Sequence, residues 1–310
     1  MPVFFPRDHC RLNSFLAVIR TAVRLLCFCA VFSAAHAEIS VRDDAGKTVV
    51  LKNPARRIIS LAPHATEMLF AVGAGEHIVG AAEYSDYPEA AKKIPRVGGV
   101  SLDLETIVAL QPDLIVAWQS GNPSGQIERL RELGFPVFAT EPRRIGDVPD
   151  LMERIGQLAG TGKAAMQASQ EFRRHHTQLR HRYGNHPAAR VFYQILDASL
   201  LTINGEHLIS DVIRLCGGQN VFADLPVLTP QIGIEAVLQK NPEVILASGM
   251  ESLWPEWQTR WRAWPGLAAV KDGNLFFVPP DLIHRNGPRI LEGAERVCAA
   301  LEQARTKSHH

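Results

Sequence analysis

The sequence predicts an α/β fold of two similar lobes joined by a long helix. Residues 104–117 and 234–247 nearly repeat each other. Each copy has a Glu near the start of a helical pattern, a Pro that ends the pattern, and a short apolar run typical of a buried parallel strand. Strand and helix patterns alternate in both halves, which favours βαβ units. Between the halves, residues 163–183 show only helical spacing and predict a helix roughly 30 Å long at about 1.5 Å per residue.

The first 37 residues have the pattern of a secretory signal peptide. Four arginines precede an apolar run at 25–35, and Ala35-His36-Ala37 supplies the small-x-small pattern of a cleavage site. A retained N-terminal anchor is the alternative, although the run is shorter than the roughly 20 residues of a membrane span. The pattern therefore predicts an exported protein that begins near Glu38.

The remaining chain is expected to form a first lobe at 38–144, a connecting helical segment at 145–186 and a second lobe at 187–310. The first lobe opens with a β-hairpin around Asp43-Asp44-Ala45-Gly46 and continues with a buried strand at 57–61. The second lobe is expected to begin with a strand at 191–196 and to end with a helix at about 288–304.

The charge balance argues against nucleic acid as a partner. The chain has 33 basic and 32 acidic residues, and removal of residues 1–37 takes away four arginines and one aspartate. A near-neutral surface lacks the concentrated positive charge that phosphate binding requires.

Two cysteines, Cys216 and Cys298, remain after removal of the signal peptide. A single pair in an oxidising compartment predicts a disulfide between them. Two buried free thiols are the alternative, because free cysteine packs well as a small hydrophobe.

Several motifs resemble the helical-backbone periplasmic substrate-binding proteins, which deliver vitamin B12, haem and iron-siderophores to ABC importers. They are Ile58-Ile59-Ser60-Leu61-Ala62-Pro63 with Thr66-Glu67, Tyr84-Ser85-Asp86-Tyr87-Pro88, Leu104-Glu105, Cys216-Gly217-Gly218 and Asp281-Leu282-Ile283-His284-Arg285. The motifs are most similar to those of the members that bind vitamin B12. The resemblance implies two Rossmann-like lobes with mostly parallel sheets joined by a long rigid α-helix, the class III architecture. It also implies a periplasmic monomer that carries cobalamin or a related corrinoid to a permease in the inner membrane.

The resemblance also implies roles for individual residues. Tyr84 resembles the family's corrin-contacting tyrosine, and Asp281, Leu282, Ile283, His284 and Arg285 resemble its second-lobe contact loop. Glu105 and Glu235 resemble the two acids, one per lobe, that dock on arginines of the permease. Cys216 and Cys298 stand where the family has its disulfide.

The ligand pocket departs from the family pattern more than the docking residues do. The aromatic expected before Glu105 is absent, since only Val100 and Ser101 stand there, and Leu228-Thr229 replaces the aromatic expected before Glu235. Trp118 offers a flat amphipathic face that suits a large macrocycle, with core packing as its alternative. Haem or a ferric siderophore is therefore the alternative ligand.

Other candidate sites have weaker support. His64 and His284 are candidate ligands of a cobalt or iron centre, with a structural role favoured for His64. Together with Asp281, these two histidines are also the only basis for a less favoured function, an exported metal-dependent hydrolase. Phosphate-binding, hydrolase-nucleophile and zinc motifs are absent from the sequence, so neither an enzyme nor a bound metal or cofactor is expected. One larger set is predicted to form a buried helix face: Trp254, Trp257, Trp261 and Trp264.

Overall fold

The computed structural model describes residues 1–4, 38–196 and 200–307 of the chain. The chain divides into two compact units, Met1–Ala37 and Glu38–His310, and the second unit holds the fold described below. Apart from residues 1–4, the predicted signal peptide lies outside the described residues. Over the described ranges, no helix is both long enough and apolar enough to cross a membrane.

The second unit begins with the predicted β-hairpin. Strands β1 (Ile39–Arg42) and β2 (Thr48–Leu51) pair antiparallel. The turn between them is held by the buried carboxylate of Asp43, whose Oδ1 accepts a hydrogen bond from the backbone N–H of Lys47 at 2.7 Å. The turn brings the chain back in register, so the hairpin prediction is confirmed.

The first lobe contains a parallel sheet of four strands in the order β4-β3-β5-β6. Its strands are almost wholly buried because helices alternate with them along the chain and cover the sheet. Its elements are β3 (Ile58–Ser60), α1 (Pro63–Ala71), β4 (Ile78–Ala81), α2 (Leu104–Ala109), β5 (Leu114–Trp118), α3 (Ser124–Glu132) and β6 (Val137–Thr140).

The connecting segment consists of two helices that pack along each other, α4 (Asp147–Ala159) and α5 (Gly162–Tyr183). Gly160 adopts φ 69° at the end of α4, a left-handed conformation that favours glycine. The 22 residues of α5 span about 33 Å. The long connecting helix is thus confirmed, and α4 braces it over part of its length.

The second lobe repeats the arrangement of the first. Strands β9-β7-β10-β11 are parallel, and the short β8 pairs antiparallel with the end of β7. Its elements are β7 (Ala189–Leu196), β8 (Leu200–Leu201), α6 (Leu208–Leu215), β9 (Gly218–Asn220), α7 (Ile234–Lys240), β10 (Val244–Gly249), α8 (Trp254–Arg262), α9 (Ala268–Lys271), β11 (Leu275–Phe277), α10 (Pro280–Ile283) and α11 (Ile290–Lys307).

The structure explains the repeated sequence. In both copies the residue before the Pro has positive φ, with 47° at Gln111 and 44° at Asn241. The acid that follows the Pro then binds backbone N–H groups at the start of the neighbouring strand. Asp113 accepts from Arg56 and Arg57, and Glu243 accepts from Arg190. The repeated Pro-acid pair therefore fixes the same strand register in each lobe.

The predicted disulfide is present between Cys216, at the end of α6, and Cys298 in α11. The tryptophan prediction holds in part. Trp257 and Trp261 are buried, and both donate their indole N–H to the side-chain oxygen of Gln194, at 2.6 and 3.0 Å. Trp264 lies beyond the end of α8 and is 41% exposed, so its assignment to the buried face is wrong.

A hydrophobic core runs through both lobes and the connecting helices, and each lobe also has a separate cluster of its own. It includes Leu69 in the first lobe, Ile155 and Phe172 in α4 and α5, and Ile213 and Val297 in the second lobe. Because the side chains form one continuous cluster, the lobes are held by packing as well as by the covalent connection.

Candidate functional site

A cavity of about 470 Å³ lies in a cleft between the two lobes. Trp118 is the last residue of β5, Glu141 directly follows β6, and Ile195 lies near the end of β7. Both sheets therefore contribute the carboxyl ends of parallel strands, where open α/β sheets bind ligands. The lining residues are Trp118, Ser120, Glu141, Pro142 and Arg143 from the first lobe, and Ile195, Glu206, His207, Leu208, Ile209, Val227, Leu228, Thr229, His284 and Asn286 from the second.

The position of Trp118 is fixed by its neighbours. Its backbone N–H donates to the side chain of Asn122 at 2.6 Å, and Asn122 in turn donates to the carbonyl of Leu61 at 2.9 Å. Gly121 packs so closely on the ring that a Cβ there would collide with it. The edge of the ring meets His64 at a centroid distance of 5.3 Å. Trp118 thus presents a preformed apolar surface to the cavity.

His64 supports this surface from behind. It is 2% exposed, and its Nε2 lies 3.1 Å from Oγ1 of Thr140, which donates to the carbonyl of Ala117. Burial, and secondarily the charge of Arg285, lowers the pKa of His64 to about 4. A neutral His64 that does not line the cavity agrees with the structural role favoured for it.

Two further histidines reach the cavity from the second lobe. His284 follows α10, and its Nε2 lies 2.9 Å from the hydroxyl of the buried Tyr193. His207 precedes α6, and its Nδ1 accepts the backbone N–H of Ile209 at 3.1 Å. Burial lowers the pKa of each histidine to about 4. Both side chains are therefore neutral at neutral pH, and neither adds charge to the cavity.

The charged residues of the cavity largely compensate one another. Glu141 is held by the backbone N–H of Ser120 at 3.1 Å and lies 3.9 Å from Arg143. Glu206 pairs with Arg144 at 3.1 Å. The site is therefore a partly apolar pocket with balanced charges at its edge. Over the described part of the chain, no three His, Cys, Asp or Glu side chains converge in a way that could hold a metal ion.

The structure separates the residues that were predicted to contact a ligand. Trp118 and His284 line the cavity, whereas Tyr84, which is 80% exposed, Asp281 and Leu282 lie outside its lining. Ile283 is 0% exposed and belongs to the core, so its side chain does not reach the cavity. The reason is that α10 is a single turn, which directs Ile283 inward.

Arg285 lies in an ion cluster between the lobes, which we call the interlobe clamp: Glu67, Asp86, Asp281, Arg285 and Arg289. Arg285 lies 2.8 Å from both Glu67 and Asp86 and 2.9 Å from Asp281. Arg289 lies 3.1 Å from Glu67. The clamp thus joins α1 and the loop that contains Asp86 in the first lobe to the segment around α10 in the second.

Glu105 and Glu235 occupy equivalent positions. Each lies in the first turn of its helix, α2 or α7, and each is exposed. Neither side chain forms an ion pair with any residue that the structure describes. Two unpaired acids at matching places of a duplicated fold are available for an external partner.

Sequence reasoning missed most of the cavity lining, notably Glu141, Glu206 and His207. A signal was present, because the weaker repeat, extended towards the N-terminus, places His207 opposite His64, near the start of the helix after β3. Alignment of the weaker repeat, residues 68–78 against 211–221, would have placed His207 at the carboxyl edge of the second sheet.

Comparison with known proteins agrees with this architecture. Residues 58–282 match the family model described as periplasmic binding protein. The vitamin B12-binding protein of Vibrio cholerae serotype O1 is 37% identical over 256 residues, which cover 81% of this chain and 91% of the relative. The crystal structure of the periplasmic vitamin B12-binding protein BtuF of Vibrio cholerae superposes with a TM-score of 0.77 at 38% identity, covering 81% of this chain and 98% of that chain. The periplasmic heme-binding protein HutB of Vibrio cholerae shares the fold, with a TM-score of 0.69 at 19% identity, covering 79% and 98% of the two chains.

Proposed function

This chain belongs to the periplasmic binding protein family, and we propose from that premise that it captures cobalamin or a related corrinoid for an ABC importer. The relatives are substrate-binding proteins, so the chain is a binding protein and not an enzyme. The corrinoid is cargo and not a cofactor. Corrinoid binding by relatives with 37% identity over most of both chains is the main comparative support.

The single observation that carries the choice of ligand is the lining of the cleft. A corrin ring is a broad, largely apolar macrocycle edged by neutral amide groups. Trp118, Ile195 and Leu228 supply apolar surface, and backbone and histidine groups supply polar contacts. Such a combination of apolar walls and a few polar groups is typical of small-molecule sites.

The charges of the cavity favour a corrinoid over haem. Haem carries two carboxylates, and ferric siderophores are commonly anionic. The cavity offers the cation of Arg143, but Glu141 and Glu206 also line it. Carboxylates brought into this pocket would find Arg143 already near Glu141 and Arg144 already paired with Glu206, whereas neutral amides need no cation.

We further propose that Glu105 and Glu235 dock the protein on positive residues of the permease. Their exposure and lack of partners support this role. Complementary charges at an interface set orientation and encounter rate. Glu105→Gln combined with Glu235→Gln should abolish corrinoid uptake in cells while the affinity of the purified protein stays unchanged. Glu132→Gln, on the exposed surface of α3, is the matched control. Normal uptake by the double variant would refute the docking role.

Export through a cleavable signal peptide at residues 1–37 completes the proposal, together with action as a monomer. Periplasmic relatives and the sequence pattern support export. N-terminal sequencing of protein recovered from the periplasm should begin at Glu38. Recovery of the intact chain from the membrane fraction would favour the retained anchor instead.

Titration of the purified protein with cyanocobalamin, cobinamide and haemin tests the ligand assignment. We expect quenching of Trp fluorescence by both corrinoids at submicromolar concentration, because Trp118 lines the cavity. Haemin should bind far more weakly. Submicromolar haemin binding without corrinoid binding would refute the assignment and leave the importer role to a haem-binding protein of this family.

A further inference from the structure

We infer that His207 determines ligand specificity: its Nε2–H group is a fixed neutral donor to a carboxamide oxygen on the corrin edge, and it does not bind the cobalt. This inference rests on the proposed corrinoid cargo. The evidence is the position of the ring, the hydrogen bond at its other nitrogen and the charges around it.

The hydrogen bond at Nδ1 fixes the tautomer. His207 is the N-cap residue of α6, with extended backbone at φ −77° and ψ 142°, and its Nδ1 accepts the N–H of Ile209 at 3.1 Å. A nitrogen that accepts a backbone N–H cannot carry a proton itself. In the neutral ring the proton is therefore on Nε2, which is the donor.

The surroundings keep the ring neutral. The side chain of His207 is half-buried, and the guanidinium of Arg143 lies near it. The N-terminus of α6 adds partial positive charge beside the ring. A second proton would have to displace the hydrogen bond from Ile209, and it would face the charge of Arg143 and the helix N-terminus. The imidazolium form is therefore disfavoured.

The Nε2–H group is available to a ligand. His207 lines the cavity, and Nε2 has no hydrogen-bond partner within the described residues. Unlike Nε1 of Trp118, Nε2 of His207 is not cut off from solvent. A free N–H donor in a pocket with apolar walls selects a ligand with an acceptor at that place.

The same tautomer excludes coordination of a metal. Metal binding requires a lone pair on the ring nitrogen, and the lone pair of this ring is occupied at Nδ1. His207 therefore donates a hydrogen bond to the edge of the macrocycle and does not coordinate its metal.

The binding test compares two variants with wild type. His207→Phe keeps a ring but removes the donor and the cap. His207→Asn keeps an N-cap acceptor for α6 but has a shorter reach. Both should bind cyanocobalamin about five- to tenfold more weakly, as expected for a lost neutral hydrogen bond. Dicyanocobinamide, which keeps the corrin amides, should show the same loss. His181→Phe, on the exposed face of α5, should bind like wild type.

The outcomes separate this inference from the proposed function. If wild type binds neither corrinoid, the proposed function is refuted. If wild type binds and neither variant shows a loss, or if only cyanocobalamin binding weakens, the role of His207 at the corrin edge is refuted.

Two measurements on the wild-type protein do not depend on a folded variant. NMR of ¹⁵N-histidine-labelled protein at pH 7 should show His207 with a protonated Nε2 and an unprotonated Nδ1, and the opposite tautomer would overturn the inference. Bound aquacobalamin should keep the visible spectrum of the aqua form. An imidazole-coordinated spectrum that is lost in His207→Phe would identify His207 as a cobalt ligand and would also overturn it.

Discussion

Replacement of Glu67 tests whether the interlobe clamp stabilises the fold. The side chain of Glu67 is 1% exposed, and its two partners Arg285 and Arg289 are 10% and 16% exposed. Removal of one member of a buried ion pair typically costs about 3–5 kcal/mol, because the remaining charge is buried without compensation. Arg285 would retain Asp86 and Asp281, so we expect Glu67→Ala to cost about 3 kcal/mol, near the lower end.

Urea unfolding followed by circular dichroism measures this cost, and a thermal scan should show a fall in the melting temperature of about 6 °C or more. Glu67→Gln keeps most of the volume but removes the charge, and it should recover only a part of the loss. Glu132→Gln removes an exposed pair with Arg129 and should change stability by less than about 1 kcal/mol. A Glu67→Gln protein within about 0.5 kcal/mol of wild type would show that the clamp contributes little.

Three other perturbations have defined outcomes. The pKa of His64 is about 4 in the folded protein and 6.5 for the free side chain, so protonation favours the unfolded state. His64 should therefore contribute about 3 kcal/mol to the free energy of unfolding above pH 6.5. This contribution is lost as the pH falls towards 4. Urea titrations from pH 7 to pH 4 should therefore show a smaller loss for His64→Gln, and equal slopes would contradict this account. The double variant Cys216→Ala with Cys298→Ala removes a disulfide that links residues 82 positions apart, and it should lower the free energy of unfolding by about 4 kcal/mol. An unchanged free energy under oxidising conditions would show that the disulfide is dispensable. Gln194→Leu leaves two buried indole N–H groups without an acceptor and should cost about 2–4 kcal/mol in the same assay, and a neutral result would mean that water replaces the amide.

The fold was largely predictable because its signals are local. The Pro at 112 and 242 ended each repeated helix, and the apolar runs after it were long enough to identify β5 and β10. The connecting helix was predictable for the same reason, since its periodicity continues over several turns without a strand-like run.

The site was less predictable because it depends on contacts between distant segments. Glu67 and Arg285 are far apart in the sequence, and no local pattern marks them as partners. Glu141 follows β6 and His207 precedes α6, so the conformation of the adjoining loop sets the direction of each side chain. Ile283 illustrates the limit, since one turn of helix decides whether a residue faces the cleft or the core.

The continuous core described above bears on how this duplicated chain can be divided. Although each half repeats the other in topology, we expect that neither half folds alone, because α5 packs on α1 of the first lobe and on α6 and α11 of the second. A fragment that ends near residue 144 would leave Leu69 and its neighbours against water and should aggregate rather than fold. The two halves therefore share a topology, but we expect them to be stable only as one chain.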